Sequence, residues 1–275
     1  MKIAVAGGTG MTGRHVTGSV LAAGHTAVVL SRSAGVDLMD SRGLADALRG
    51  VSAVIDVTNV TTTRRAQSVA FFGTVTRNLL EAEQQAGVGH HVALSIVGTD
   101  RVGYGYYLGK RRQEELVLAG PVPGSVLRAT QFHEFAGQLL DRVRGPVALA
   151  PKMLSQPVAA AEAAAALVGL ALAGPAGLAP ELAGPQEFWM ADLVRRVARA
   201  RGQHRPVLAV RLPGAAGKAM AGGGQLPSGP GPRGVLTFAE WLAAGGATGP
   251  VPASTGQSST GQSSTGQSST GRAGR

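Results

Sequence analysis

The sequence predicts an α/β protein built on a doubly wound parallel sheet with a small C-terminal lobe. Three observations lead there. Short apolar runs alternate with helical stretches over the first 150 residues. Those runs are apolar throughout rather than at every second position, as expected of strands buried on both faces. Four glycines, at positions 7, 8, 10 and 13, crowd the junction between the first run and the first helical stretch.

The elements follow in order. "KIAVAG" reads as the first strand, followed by a helix over Thr12 to Ala23 that Gly24 ends. "TAVVLS" is the second strand. "SRGLADALRG" is a short helix with Ser41 as N-cap and Gly50 as stop. "SAVIDVT" is the third strand, and a long helix runs from about Thr63 to Ala86. "HVALSIVG" is the fourth strand, "YLGKRRQEELVLAG" a helix closed by Gly120, and "GSVLRAT" the fifth strand. This alternation implies βαβ units with helices on both faces of the sheet. After Thr130 the rhythm loosens. "QFHEFAGQLLDRVRG", "AAAEAAAALVGLAL" and "MADLVRRVARARG" read as helices, "PVLAVRLP" as a strand and "AGGGQLPSGPGPRG" as a loop. The expected organisation is a nucleotide-binding domain over 1–130, a substrate lobe over 131–245 that completes the same fold, and a tail over 246–275. The tail repeats STGQS three times and has too little apolar surface to offset chain entropy, so it is expected to be disordered.

Composition narrows the function classes. The chain has 275 residues and no cysteine, which removes disulfides, thiolate nucleophiles and cysteine-ligated metals. The opening apolar run is far shorter than the core of a signal peptide, and no window approaches the roughly 18 apolar residues of a membrane span; a cytoplasmic protein is expected. The formal charge is +10, but 22 of the 26 basic residues are arginine and they are scattered. The one cluster, Arg195, Arg196, Arg199, Arg201 and Arg205, ends a predicted helix, where cations favour the dipole and a solvated face. Aromatic residues total 4%, too few for the stacking platforms of single-strand binders, so no nucleic-acid partner and no membrane partner is expected. No coiled-coil heptad is present to specify an oligomeric state. His90 and His91 are adjacent, a spacing unsuited to one metal; they are expected to form a solvated loop pair, and no metal site is expected.

Gly7, Gly10 and Gly13 form G-x-x-G-x-x-G between a strand and a helix. The first permits the tight turn, the second lets backbone approach a pyrophosphate, and the third lets the helix pack closely on the strand. The free N–H groups of the helix N-terminus then face the phosphates, with Thr9 and Thr12 as hydroxyl donors. This is the loop of a Rossmann-type domain. A site selective for NAD places an acid at the end of the second strand; here that place holds Ser31 and Arg32, and a guanidinium suits a 2′-phosphate. NADP(H) is the expected cofactor. Asp37 is placed where it could accept from the adenine amino group or cap the next turn. Val57, Thr58 and Asn59 end the third strand near the adenosine and its phosphates. Beyond the fourth strand, which carries Ser95, Tyr106 and Lys110 are four residues apart at a helix start and share one face. A nearby ammonium lowers a phenol's pKa and eases proton transfer, and the Ser95 hydroxyl could hold a carbonyl oxygen. Tyr104 and Tyr107 lie off that spacing. Met11 is expected to pack against the cofactor or the helix.

"AVAGGTGMTGRHV", "SAVIDVTN", "LSIVG", "YYLGKRRQEELV", "SVLRATQFHEF" and "QPVAAAEAAAAL" together resemble the atypical short-chain dehydrogenase/reductases, in particular the NmrA-like NAD(P)-binding group. The resemblance runs from Met1 to about Leu242. It implies NADP(H) held by Gly7, Thr9, Gly10, Met11, Thr12, Gly13 and Arg32. It implies Ser95, Tyr106 and Lys110 as the reductase trio, with Lys110 also on the nicotinamide ribose. Gln131, Phe132 and His133 would face a small-molecule substrate. Two departures stand out. An acidic pair usual after the valine of "QPVAAAEAAAAL" is reduced to Glu162. Some relatives bind the nucleotide without reducing anything and act as redox sensors on a transcription factor; those often lack the Tyr–Lys pair that this chain keeps. The expected function is therefore NADPH-dependent reduction of a carbonyl, quinone or enone of a small apolar molecule, with a non-catalytic NADP(H)-sensing regulator as the alternative.

Overall fold

The computed structural model describes residues 1–143 and 145–247; the STGQS repeats lie outside the described residues. In chain order the elements are β1 (Lys2–Ala6), α1 (Met11–Ala22), β2 (Thr26–Leu30), α2 (Leu44–Ala47), β3 (Ala53–Asp56), α3 (Arg65–Ala86), β4 (His90–Ile96), α4 (Gly105–Leu118) and β5 (Gly124–Ala129). They continue with α5 (Glu134–Arg142), β6 (Ala148–Pro151), β7 (Leu154–Ser155), α6 (Ala160–Ala173), β8 (Gly177–Leu178), β9 (Phe188–Trp189), α7 (Met190–Ala200), β10 (Val207–Val210), α8 (Gly214–Ala221) and α9 (Phe238–Trp241).

The central sheet has the order β2-β1-β3-β4-β5-β8, and every pairing in it is parallel. Side chains of β1 alternate between faces, because a strand has a period of two. Ile3 and Val5 join Val16 and Val20 of α1 and Leu167 of α6 in one core. Ala4 and Ala6 face the other way, onto Leu44, Leu48, Val75 and Leu79 of α2 and α3. Two layers of helix therefore sandwich the sheet. The chain leaves β1 for β2 on one side and returns to β3 on the other. That reversal opens a crevice beyond the carboxyl ends of β1 and β3, the place where ligands bind in open α/β sheets.

The lobe is a separate core. A parallel pair, β6 with β10, and an antiparallel pair, β7 with β9, pack with α5, α7 and α9 around Leu140, Met190, Val194, Val197, Phe238 and Trp241. The packed chain continues through Ala247, the second residue of the expected tail, which is buried in that core.

Four local differences from the sequence reading have simple causes. Ser41 does not cap α2; Gly43, with φ of 72°, precedes the helix, and Ser41 instead offers its backbone carbonyl to Leu44 in a turn. The long helix starts at Arg65 because the Thr62 hydroxyl donates to Gln67 and accepts from the Arg64 N–H, holding a turn there. The sixth strand, β8, is two residues long and too short to carry a period. His90 and His91 are buried rather than solvated. They open β4 on opposite faces, His90 against the Ser125 hydroxyl at 2.9 Å and His91 against Glu83 at 2.8 Å. Burial alone would hold the His91 pKa down, but Glu83, its hydrogen bond and Asp56 outweigh it and raise the pKa.

Candidate active site

The glycine loop turns at Gly7, whose φ is 80°. Its N–H donates to Leu30 O at 2.9 Å, and Gly10 N–H donates to Gly7 O at 3.0 Å. A Cβ on Gly13 would lie 2.1 Å from Gly7 O and 2.6 Å from Gly8 Cα, so only glycine lets α1 approach β1 this closely. A Cβ on Gly7 would press on the Thr58 backbone at 3.1 Å, which brings the loop and the end of β3 together. Gly10 precedes α1 and no side chain caps the helix. Its first-turn N–H groups are left for an incoming acceptor.

At the end of β2, the Ser31 hydroxyl accepts from Ala34 N–H and caps a short helical turn over Arg32–Ala34. Arg32 is exposed. Asp37 accepts from Met39 N–H at 3.0 Å, the turn-capping alternative. A residue the sequence reading did not single out organises the β3 end: Asp56, fully buried. One carboxylate oxygen accepts from Thr58 N–H at 2.8 Å and the other from the Gln113 side chain at 2.7 Å. Its signal was a carboxylate inside the apolar run "SAVIDVT".

Gln113 also accepts from Lys110 Nζ at 2.8 Å, and Leu94 O accepts a second Lys110 proton at 2.8 Å;. The ammonium sits 4.4 Å from the centre of the Phe72 ring, and the Tyr106 ring meets Phe72 edge-on at 5.7 Å. The four-residue spacing thus places both side chains around one phenyl ring. Burial pulls the Lys110 pKa down to about 8, with Asp56 and Glu114 opposing. The Tyr106 hydroxyl donates to Asn59 Oδ1 at 2.7 Å. Its pKa is raised by burial and by Tyr107, against the expectation that the ammonium lowers it. Desolvation of the phenolate governs.

Ser95 lines the cavity, but its hydroxyl is engaged. It donates to Glu114 at 2.5 Å, because β4 turns Ser95 toward α4, onto a buried ionic cluster. Glu114 also takes two hydrogen bonds from the Arg128 guanidinium, at 2.9 and 2.7 Å. Arg128 reaches on to Asp100 at 3.1 Å. A buried carboxylate needs such partners, and it takes the nearest hydroxyl with them.

A cavity of about 830 Å³ runs from Met11 and Thr12 on α1, past Val57, Thr58 and Asn59, to Tyr106 and Lys110. Its far wall is apolar and comes from the lobe, including Leu139, Met153, Leu212 and Met220. Gln131 and Phe132 line it. His133 does not. It is turned away onto Phe238 and Trp241, with a hydrogen bond to Leu236 O at 3.0 Å, because it stands at the start of α5 facing the lobe core. Glu162 is no free acid either: one oxygen accepts from Val235 and Leu236 N–H, at 2.6 and 3.1 Å. The arginine cluster is largely engaged. Arg201 pairs with Asp141, Arg195 with Asp192, and Arg205 donates to the Leu140 and Val143 carbonyls. Among the described residues no group of three or more His, Asp or Glu could hold a metal ion, and no helix is long and apolar enough to cross a membrane.

Residues 3–125 match the model of the NAD dependent epimerase/dehydratase family. The match takes in the glycine loop, β1 to β4 and the Tyr–Lys helix, and stops before the lobe. Curated protein sequences yield no significant match to this chain. Among solved structures it is similar to an NADPH-dependent quinone oxidoreductase from Escherichia coli complexed with NADPH, at 19% identity and TM-score 0.67, covering 88% of this chain and 99% of that one. It is similar to a UDP-N-acetylglucosamine 4-epimerase from Bacillus cereus, at 17% identity and TM-score 0.66, covering 89% and 96%. It is also similar to a short-chain dehydrogenase/reductase superfamily protein from Agrobacterium tumefaciens with bound NAD, at 20% identity and TM-score 0.64, covering 89% and 95%. These likenesses establish the Rossmann-type fold over both the sheet and the lobe.

Proposed function

We propose that this protein binds NADP(H) and reduces the carbonyl, quinone or enone of a small apolar molecule. The observation that carries this is the continuity of one cavity, from the uncapped first turn of α1 to an apolar wall, with Tyr106 and Lys110 between them. The glycine loop fits a dinucleotide, since it leaves the first turn of α1 uncapped and Gly7 and Gly13 permit the tight turn and the close helix. Quinone reduction is what the similar enzyme from Escherichia coli is named for. When bound, a reduced nicotinamide supplies a hydride. The chain's own residues do the rest. Tyr106, held protonated at neutral pH by its raised pKa, gives its proton to the substrate oxygen, completing the alcohol, and Asn59 holds that hydroxyl in place beforehand. Lys110 has one N–H beyond its two protein acceptors, free for a ribose hydroxyl. Arg32, exposed just past the end of β2, would pair with the 2′-phosphate. A sensor remains the alternative because the Ser95 hydroxyl is held by Glu114.

The deciding experiment follows NADPH oxidation against quinones, ketones and enones. Tyr106→Phe is expected to lower turnover about 100-fold, the scale of a lost general acid, while NADPH affinity holds. Tight NADPH binding with no turnover of any compound by the wild type would favour the sensor.

A further inference from the structure

Two glutamines and a tyrosine form a polar island in the apolar half of the cavity. Tyr107, Gln131 and Gln225 all line it, and they are only 6%, 9% and 2% exposed. Gln225 Nε2 donates to the Tyr107 hydroxyl. Burial pushes the Tyr107 pKa up to about 12, opposed by Gln225 and Gln131. The phenol is therefore neutral, with the Gln225 amide on its oxygen.

Gln225 Oε1 has no hydrogen-bond partner among the described residues, although it is buried. Met153, Leu212 and Met220, which line the same cavity, have no proton to offer, and Gln131 Nε2 does not reach that oxygen either. Leaving a buried carbonyl unpaired is costly, and a carboxamide has no place among such side chains for packing alone.

The loop that delivers Gln225 is fastened to the sheet domain. Arg101 donates to Leu226 O at 2.8 Å, and Glu181 accepts from Ser228 N–H at 2.6 Å. Gly98 has no Cβ because one would lie 2.3 Å from Gly224 O. The carbonyl is thus held in place before any ligand arrives, which is what a recognition group needs.

We propose that Gln225, oriented by Tyr107, determines substrate specificity by accepting a hydrogen bond from a neutral hydroxyl on the substrate, about one aromatic ring away from the carbonyl that is reduced. The ring centres of Tyr106 and Tyr107 lie 6.2 Å apart, which sets the scale of that separation. This rests on the reductase reading of the same cavity, since Tyr106 marks the reacting end. Gln131 lines the same cavity, and its amide nitrogen and oxygen are also buried without a partner among the described residues.

The test measures binding of para-hydroxyacetophenone, para-methoxyacetophenone and acetophenone by calorimetry at neutral pH, to the full chain with and without NADP+. The hydroxy compound is expected to bind about tenfold more tightly than the other two, the scale of satisfying one buried acceptor. That preference is expected to vanish in Gln225→Leu and to shrink in Tyr107→Phe, with thermal unfolding confirming that both variants fold. Equal binding of the three ketones to the wild type, a methoxy compound bound as tightly as the hydroxy one, or an unchanged preference in both variants overturns the proposal, as does failure of all three to bind. Binding with hydroxyl preference but no NADPH oxidation would instead refute only the reductase reading.

Discussion

The two walls of the cavity are built from different materials. The wall from the first three strands is largely backbone: uncapped amides of α1, a turn at Gly7, and a helix drawn in by Gly13. The wall from the lobe is side chain: leucines and methionines around the Gln225 carboxamide. A pyrophosphate is the same in every dinucleotide, so a fixed set of N–H groups recognises it. A substrate varies, and side chains can follow it without disturbing the main chain. Substitutions should therefore act differently on the two sides, through geometry on one and through single contacts on the other.

The largest effect is expected at Gly13. Gly13→Ala puts a methyl group 2.1 Å from Gly7 O, and α1 must move off β1. Overpacking costs about 1–3 kcal/mol or more, and each 1.4 kcal/mol is about tenfold in affinity. NADPH affinity measured by fluorescence should drop about 100-fold or more, with a lower Tm. A normal affinity would show that the backbone wall does not hold the phosphates.

Glu114→Leu probes the ionic cluster behind Ser95. It removes the two-pronged partner of Arg128, whose side chain is 12% exposed, and leaves it Asp100. Losing that partner should destabilise the fold by up to about 3 kcal/mol, read by denaturant unfolding. It also frees the Ser95 hydroxyl, so any effect on turnover of the folded fraction reports whether Ser95 matters.

Arg32→Asp tests the proposed 2′-phosphate partner past the end of β2. It replaces a guanidinium with a charge like that of the phosphate, so NADPH should weaken about tenfold or more relative to NADH, the scale of a charge-assisted hydrogen bond. Equal losses for both nucleotides would place the 2′-phosphate elsewhere.

The smallest effect is one of pH. Lys110 has a folded pKa of about 8, below the ordinary lysine value of about 10.4. Between these two values the unfolded chain binds the extra proton, so stability rises with pH across that window. The wild-type Tm should gain on that of Lys110→Met by a few degrees between about pH 8 and 10.4. A flat difference would mean the ammonium is better solvated than its burial implies.

The strand–loop–helix start, the parallel alternation and the Tyr–Lys spacing were all visible in the sequence, because each depends on residues within a few positions of one another. Gly7 and Gly13 are read from one short loop; β1 to β5 are read from apolar runs. What the chain alone could not show depends on partners far apart. Ser95 looks available for a substrate until Glu114 and Arg128 are folded against it. His133 looks like a cavity residue until Phe238 and Trp241 take it into the lobe core. Asp56 looks like one polar position in a strand until Gln113 and Lys110 arrive on α4. Gln225 lies in a loop of glycine and proline with no period at all, and it reaches the cavity only because Arg101 and Glu181 hold that loop against the sheet domain. Local sequence sets which elements form, through propensity and periodicity. The direction in which a polar side chain finally points is set by burial, because a desolvated charge or amide must take whatever partner the packed core brings within reach.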